Sequence, residues 1–281
     1  MNATVPSEQI VSDEMSIDGF LSPLLHQYIP NIVAAHPEWF DYARRLNAVA
    51  MTMWKDHPIT TAGQLPMDQE PLAVRLLARA LSSFQGAILM LERGMVIEAG
   101  TLARSNYETG FWLAYLRDHP VAAIKHFEVD ELHAAIGRHE GYLNLYASNS
   151  ERIRSVNAAL TKLRASKNKT TVKKLRIEDL AKAGGCGDFY TFYRVLCGTS
   201  AHASVRSTDY YLKQFEDQTL GHEFGPDIDG IPQQAAFNCH AILLNALSFA
   251  EITESESAQA LYDLTVEFDR RSQAMPFGSL D

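Results

Sequence analysis

Apolar residues recur along this chain at the three- and four-residue steps of amphipathic helices, and no stretch alternates as a strand would. The densest run is residues 95–116, MVIEAGTLARSNYETGFWLAYL, almost wholly apolar, small or aromatic. Its length suits a membrane span. Glu98, Arg104, Asn106 and Glu108 lie inside it, however, more polar groups than a lipid-facing helix carries. The run therefore predicts the central helix of a bundle, buried on most sides, with Arg104 and Glu108 one turn apart on the same face.

Around it the pattern predicts a series of further helices. Residues 1–16 read as a flexible arm, and the next twenty are apolar but interrupted by Pro23 and Pro30, which predicts short helical pieces. Pro37 opens a helix to about Trp54 on Trp39, Tyr42, Leu46, Val49 and Met53. The loop ITTAGQLPMDQE follows, and Asp68 is placed to cap a helix from Gln69 to about Glu92. Gly94 then makes an antiparallel hairpin with the central helix. Pro120 starts a long helix to about Ala147 with Val129, Leu132, Ile136 and Leu143 as its apolar face, and Ser150 begins another to about Arg164.

A short acidic helix, IEDLAKA, stops at Gly184-Gly185, and Asp188 caps a single helix FYTFYRVLCGTSAHA. Residues 217–232 read as a long loop with room for a brief hairpin. A second strongly apolar helix spans about Gln233 to Ile252, and an amphipathic one about Ser255 to Arg271. The expectation is an all-α protein, one bundle domain over residues 17–272 with about seven to nine helices, and a flexible tail at 273–281.

Charge and cysteine usage narrow the chemistry. The formal charge of −9 argues against a generic phosphate-coating surface. The run SKNKTTVKKLR, with Lys167, Lys169, Lys173, Lys174 and Arg176, reads as a solvated loop, and it is the one stretch able to hold phosphates. Cys186, Cys197 and Cys239 form no close pair and no CxxC, which favours reduced cytoplasmic thiols over disulfides or a thiolate zinc site. The N-terminus lacks the basic and apolar regions of an export signal. There is no GxGxxG, Walker loop or GxSxG, so no cofactor is expected.

Two segments concentrate candidate chemistry, ARSNYETGFWLAY and FYRVLCGTSAHAS. Arg104 and Glu108 make an i,i+4 ion pair, while Ser200 and His202 lie among small residues that permit close approach. Two accounts fit. In one, Arg104 and Glu108 are a buried pair tying helices together, with Ser200 and His202 as partners. In the other, Arg104 binds an anion, Glu108 acts as a base or orients His202, and His202 transfers protons. On the long helix, His126, Asp130, His133 and Glu140 share one face, and Glu98 or Glu108 from a second helix would complete a zinc or iron site. Lacking HExxH or ExxH, this stripe reads instead as a solvated boundary, and no metal is expected.

The pairing of Arg104-Ser105-Asn106-Tyr107-Glu108 with a later aromatic-rich helix ending in Ser200-Ala201-His202 resembles a bacterial all-helical family known only as a domain of unknown function. The resemblance implies an all-α fold and marks Arg104, Glu108, Ser200 and His202, without supplying an activity. A weaker likeness is to the HEPN group of helical ribonucleases, which set an Arg and a His a few residues apart on one helix. Here Val195 through Ala201 intervene between Arg194 and His202, and Val195 stands where a polar residue would follow the arginine. The leading expectation is a bundle that recognises a small ligand or protein partner through the cluster, with nucleic acid not the expected partner and no membrane. The alternative is an enzyme, an RNase-like or metal-dependent hydrolase using the same residues.

Overall fold

The computed structural model of the protein describes residues 18–58, 67–146, 150–214, 218–222 and 224–274. The expected N-terminal arm, the end of the tail and the loop at 59–66 lie outside them. Three helices build the centre: α3 (Gln69–Leu91), α4 (Val96–Asp118) and α10 (Ile231–Thr253). Gly94 makes the α3–α4 turn with φ of +70°, a backbone that side-chain-bearing residues avoid. A Cβ there would also sit 2.6 Å from Pro226, whose loop docks on the turn through Asp227 N–H donating to the Gly94 carbonyl at 3.0 Å.

α4 and α10 meet along two matched seams. Ala99, Ala103, Asn106, Gly110 and Leu113 on α4, and Gln234, Asn238, Ala241, Asn245 and Ser248 on α10, are all buried and all repeat at alternating steps of four and three. The Asn238 side chain donates to the Ala99 carbonyl at 3.2 Å, and Asn245 donates to the Asn106 carbonyl at 2.9 Å. Seven residues along α10 match seven along α4 in the same direction, so the two helices run parallel. Each amide also donates to its own preceding turn, at Gln234 and Ala241. The Asn106 amide, oriented to satisfy both ends, donates to the Ala80 carbonyl of α3 at 3.1 Å and accepts from Phe84 N–H at 3.3 Å. Asn106 thus pins α3 with its side chain and α10 with its carbonyl.

The remaining elements wrap this centre. α1 (Leu25–Ala35) precedes α2 (Pro37–Asp56), which packs on α10 and α3, and α11 (Ala258–Gln273) closes over α10 and α2. The Tyr42 hydroxyl donates to the Leu264 carbonyl at 2.9 Å, and Arg45 and Arg271 clamp Glu267 at 2.6 and 2.7 Å. α5 (Pro120–Leu145) and α6 (Ser150–Lys169) form a hairpin arm that buries little: Ala123, Val129 and Ile136 on α5, and Leu160 on α6. α7 (Ile177–Ala183) ends at Gly184, where a Cβ would lie 2.7 Å from the Tyr115 backbone nitrogen. Then come α8 (Tyr190–Leu196), a π-turn at Cys197–Ala201, and α9 (Val205–Asp209). The antiparallel hairpin β1 (Leu212–Gln214) and β2 (Leu220–His222) completes the order.

The all-α expectation holds, with eleven helices among the described residues rather than seven to nine. The excess is α1, among the short pieces expected before Pro37, and α9, which follows the helix expected from Asp188. The segment expected as one helix from Asp188 becomes a 3-10 turn, α8 and a π-turn that seats Ser200 against Gly100. The Ser204 hydroxyl takes the Gly198 carbonyl, while Ser204 and Ser207 cap α9 reciprocally. α1, conversely, runs through Pro30 without a break. His26, whose carbonyl loses its donor there, is exposed, as is Pro30 itself, so that group faces water. Asp68 precedes α3 without a side-chain cap bond, and α6 continues to Lys169, which makes the first four residues of the basic run helical. By length and composition α3 and α10, not the 95–116 run, are apolar enough to cross a membrane. In this fold 44% and 61% of their most apolar windows are buried against the other helices, as in core helices.

A second polar pair joins α4 to α10. The Tyr107 hydroxyl and His240 Nδ1 lie 2.7 Å apart, with the imidazole stacked on Phe268 and edge-on to Phe189 and Phe192. Burial holds His240 down to about 4, with the Asp269 charge pulling weakly the other way.

Two predictions follow from this packing. A Cβ at Gly100 would meet Ser200 Cβ at 2.9 Å, whereas nothing lies within 4 Å of one at Gly141. In urea unfolding, Gly100→Ala should lose about 1–3 kcal/mol despite its better helix propensity, and Gly141→Ala should gain about 0.5–1 kcal/mol. Equal effects at the two sites would contradict the close approach. For His240, the folded imidazole titrates near 4 against 6.5 for the ordinary group. The unfolded chain therefore takes up the extra proton first as pH falls. Stability is full above about pH 6.5 and drops by up to about 3 kcal/mol by pH 4. Denaturant midpoints across that window should show the drop in the wild type and not in His240→Phe; a drop retained by the variant assigns it elsewhere.

Candidate functional site

One flank of α4, carrying Gly100, Arg104, Tyr107, Glu108 and Phe111, faces α8 and the π-turn. Tyr193 and Cys197, four residues apart on that opposing segment, both reach Arg104. The guanidinium donates through Nε to Cys197 Sγ at 3.2 Å and through Nη2 to the Tyr193 hydroxyl at 2.6 Å, and its Cζ lies 4.8 Å from the Tyr193 ring centroid. Tyr190 stacks on Tyr193, with ring centroids 5.6 Å apart. The Glu108 carboxylate stands 3.8 Å from Arg104 Nη2, close enough for charge attraction but too far for a hydrogen bond.

Burial opposes the Arg104 charge, yet the Cys197 sulfur, Tyr193 and Glu108 together hold its pKa above the ordinary value. Burial also raises the Tyr193 phenol, against the pull of Arg104, so it stays protonated at neutral pH. The result is a fixed cation a quarter exposed, with an acceptor-capable phenol and a thiol behind it and a carboxylate at 38% exposure beside it.

Of the four residues expected to cluster, the structure brings Arg104 and Glu108 together and separates the other two from them. Ser200 is buried against Gly100 and within 3.3 Å of the Thr199 hydroxyl, on the Gln234 side of the segment. His202 is exposed beyond the π-turn, where its carbonyl accepts from the Ser207 hydroxyl at 2.8 Å. Arg194 is exposed as well, and the π-turn stands between it and His202.

The α5 stripe is likewise dispersed. His126 Nδ1 lies 3.0 Å from the Tyr115 hydroxyl, Asp130 pairs with Lys174 and Glu140 with Arg164. Glu98 sits beside Tyr211, about 25 Å along α4 from Tyr115 at 1.5 Å per residue. Among the described residues no three His, Cys, Asp or Glu side chains gather as a metal site. A recess of about 230 Å³ between the ends of α2 and α10, lined by Asp56, His57 and Glu256 among others, holds none of the expected residues.

Sequence reasoning missed Tyr193 and Cys197 as the partners of Arg104, although their i,i+4 spacing on an aromatic helix was visible. It also missed Asn238, Asn245 and His240 inside a helix read only as apolar; the recurrence of amides at helical steps was the available signal.

A family of unknown function, DUF5677, matches this chain over residues 70–219. That span carries α3 through β1, and so both the Arg104 cluster and the α5–α6 arm, and stops short of α10. No curated protein and no solved structure matches the chain. With more than half of its 281 residues matched, the chain belongs to the family of unknown function DUF5677.

Proposed function

We propose that this helical bundle recognises a small anionic ligand, a carboxylate or phosphate, through Arg104. The observation that carries the reading is a guanidinium positioned by Tyr193 and Cys197 while its only carboxylate neighbour among the described residues stays at 3.8 Å, so most of its donors are uncommitted. A partly desolvated arginine held in one orientation gains more from an incoming anion than a mobile surface one, because its ordering is already in place. Glu108 beside it favours a ligand that also offers a hydroxyl or amine donor. The cytoplasmic setting belongs to the same reading, supported by three free thiols, two of them buried.

Native mass spectrometry of the purified protein tests the proposal. Wild type should carry a ligand mass, or take up a simple phosphate or carboxylate probe, and Arg104→Gln should bind it about 10- to 100-fold more weakly with its folded charge-state envelope intact. Arg104→Lys, which keeps the charge and loses the fork, should fall between. Identical unliganded spectra for all three, with Arg104→Gln simply less stable, would make the cluster a structural pin.

A further inference from the structure

Helix α6 and the segment after it are the electrostatic exception in this molecule. Residues 150–176 hold nine Lys and Arg and one acidic residue, a net of +8 in a chain of −9, so the remainder carries −17. Part of this charge is answered within the chain: Arg164 pairs with Glu140 at 2.8 Å, Lys174 with Asp130 at 2.9 Å and Arg176 with Asp179 at 2.9 Å, while Arg152 lies over the Tyr146 ring. Arg154, Lys162, Lys167, Lys169 and Lys173 are exposed and have no ion-pair partner among the described residues.

Three of these share one open face. The buried and half-buried stripe Ile153, Val156, Leu160 and Leu163 marks the side of α6 packed on α5, and α6 makes no comparable contact with any other described element. At 100° per residue, Arg154, Lys162 and Lys169 fall within about 80° on the opposite side, along about 22 Å of helix. Between them stand Ala158, Thr161 and Ala165, small or hydrogen-bonding; Glu151 at the helix start is the one acid on that face.

We propose that this face of α6 docks duplex nucleic acid through its phosphate backbone, without reading its sequence. A linear row of cations with small polar residues between them fits a linear row of phosphates. The face has no aromatic ring on which single-stranded bases could stack, and no large apolar residue to enter a bilayer. The acidic remainder of the chain repels a polyanion elsewhere and so confines it to the arm. This site is separate from Arg104, and the two readings stand or fall independently.

The test is fluorescence anisotropy of labelled DNA and RNA duplexes of about 20 base pairs with the full chain, at about 50 mM salt and upward. Wild type should bind at least one of them with a log–log salt slope of about −2 to −3, as expected for three phosphate contacts. The triple variant Arg154→Glu/Lys162→Glu/Lys169→Glu should bind at least about 30-fold more weakly with an unchanged circular dichroism spectrum, and the corresponding triple Gln variant should bind more weakly with a shallower slope. Arg104→Gln should bind like wild type. The proposal is overturned if wild type binds neither duplex, or if both triple variants bind as tightly as wild type. It is equally overturned if the arm's charges prove to drive only binding to anionic vesicles, or only self-association in sedimentation.

Discussion

Two amide-to-carbonyl hydrogen bonds one heptad apart hold the rest of this protein in place. Asn238 and Asn245 donate across to Ala99 and Asn106, and in a dry interface each such bond is worth far more kept than broken, about 1–3 kcal/mol, because the buried amide N–H that makes it has no water to turn to. Hydrophobic burial alone would accept neighbouring registers of two smooth, small-residue helices. The amides accept only one. Asn106 extends the constraint to α3 through its own side chain, so one buried residue fixes the mutual position of all three central helices.

The candidate site inherits its geometry from that lock. With α4 held by α10 along one seam, the neighbouring flank about a third of a turn round presents Gly100, Arg104 and Glu108 to α8 and the π-turn. Ser200 seats against Gly100 where the segment leaves regular helix, and Tyr193 and Cys197, one turn apart on the same segment, reach the Arg104 guanidinium. The two positive features of the molecule are thereby of different kinds. Arg104 is a single oriented cation in a partly desolvated setting, suited to a compact anion. The α6 row is a solvated, repeated charge on an arm that little else contacts, suited to an extended one.

Much of the fold was legible along the chain. Polar residues inside the 95–116 run fit a helix that packs more than half of its residues inside the protein, and Gly94 and Pro120 flank it because glycine suits a left-handed turn and proline a helix start. Arg104 and Glu108 were visible as a pair through their one-turn spacing. What could not be read was set by contacts between distant segments. The π-turn lies where Ser200 meets Gly100 and Ser204 takes the Gly198 carbonyl, neither of which has a local periodicity. His202 was placed in the cluster on the assumption of one unbroken helix, and the break moves it into solvent. Glu108 was legible as the neighbour of Arg104, whereas its hydrogen-bond partners Tyr193 and Cys197 lie on a distant segment that no local pattern ties to it.

The most direct test of the account is the double substitution Asn238→Leu/Asn245→Leu, which keeps the branched outline of each side chain and removes the register bonds. The account predicts full far-UV helix signal with weakened near-UV signal and broadened amide resonances. Cys197, the half-buried thiol of the three, should then react faster with a thiol reagent as its contact with Arg104 loosens. A variant with sharp, wild-type-like resonances and an unchanged Cys197 rate would show that hydrophobic packing alone sets the register, and would contradict it.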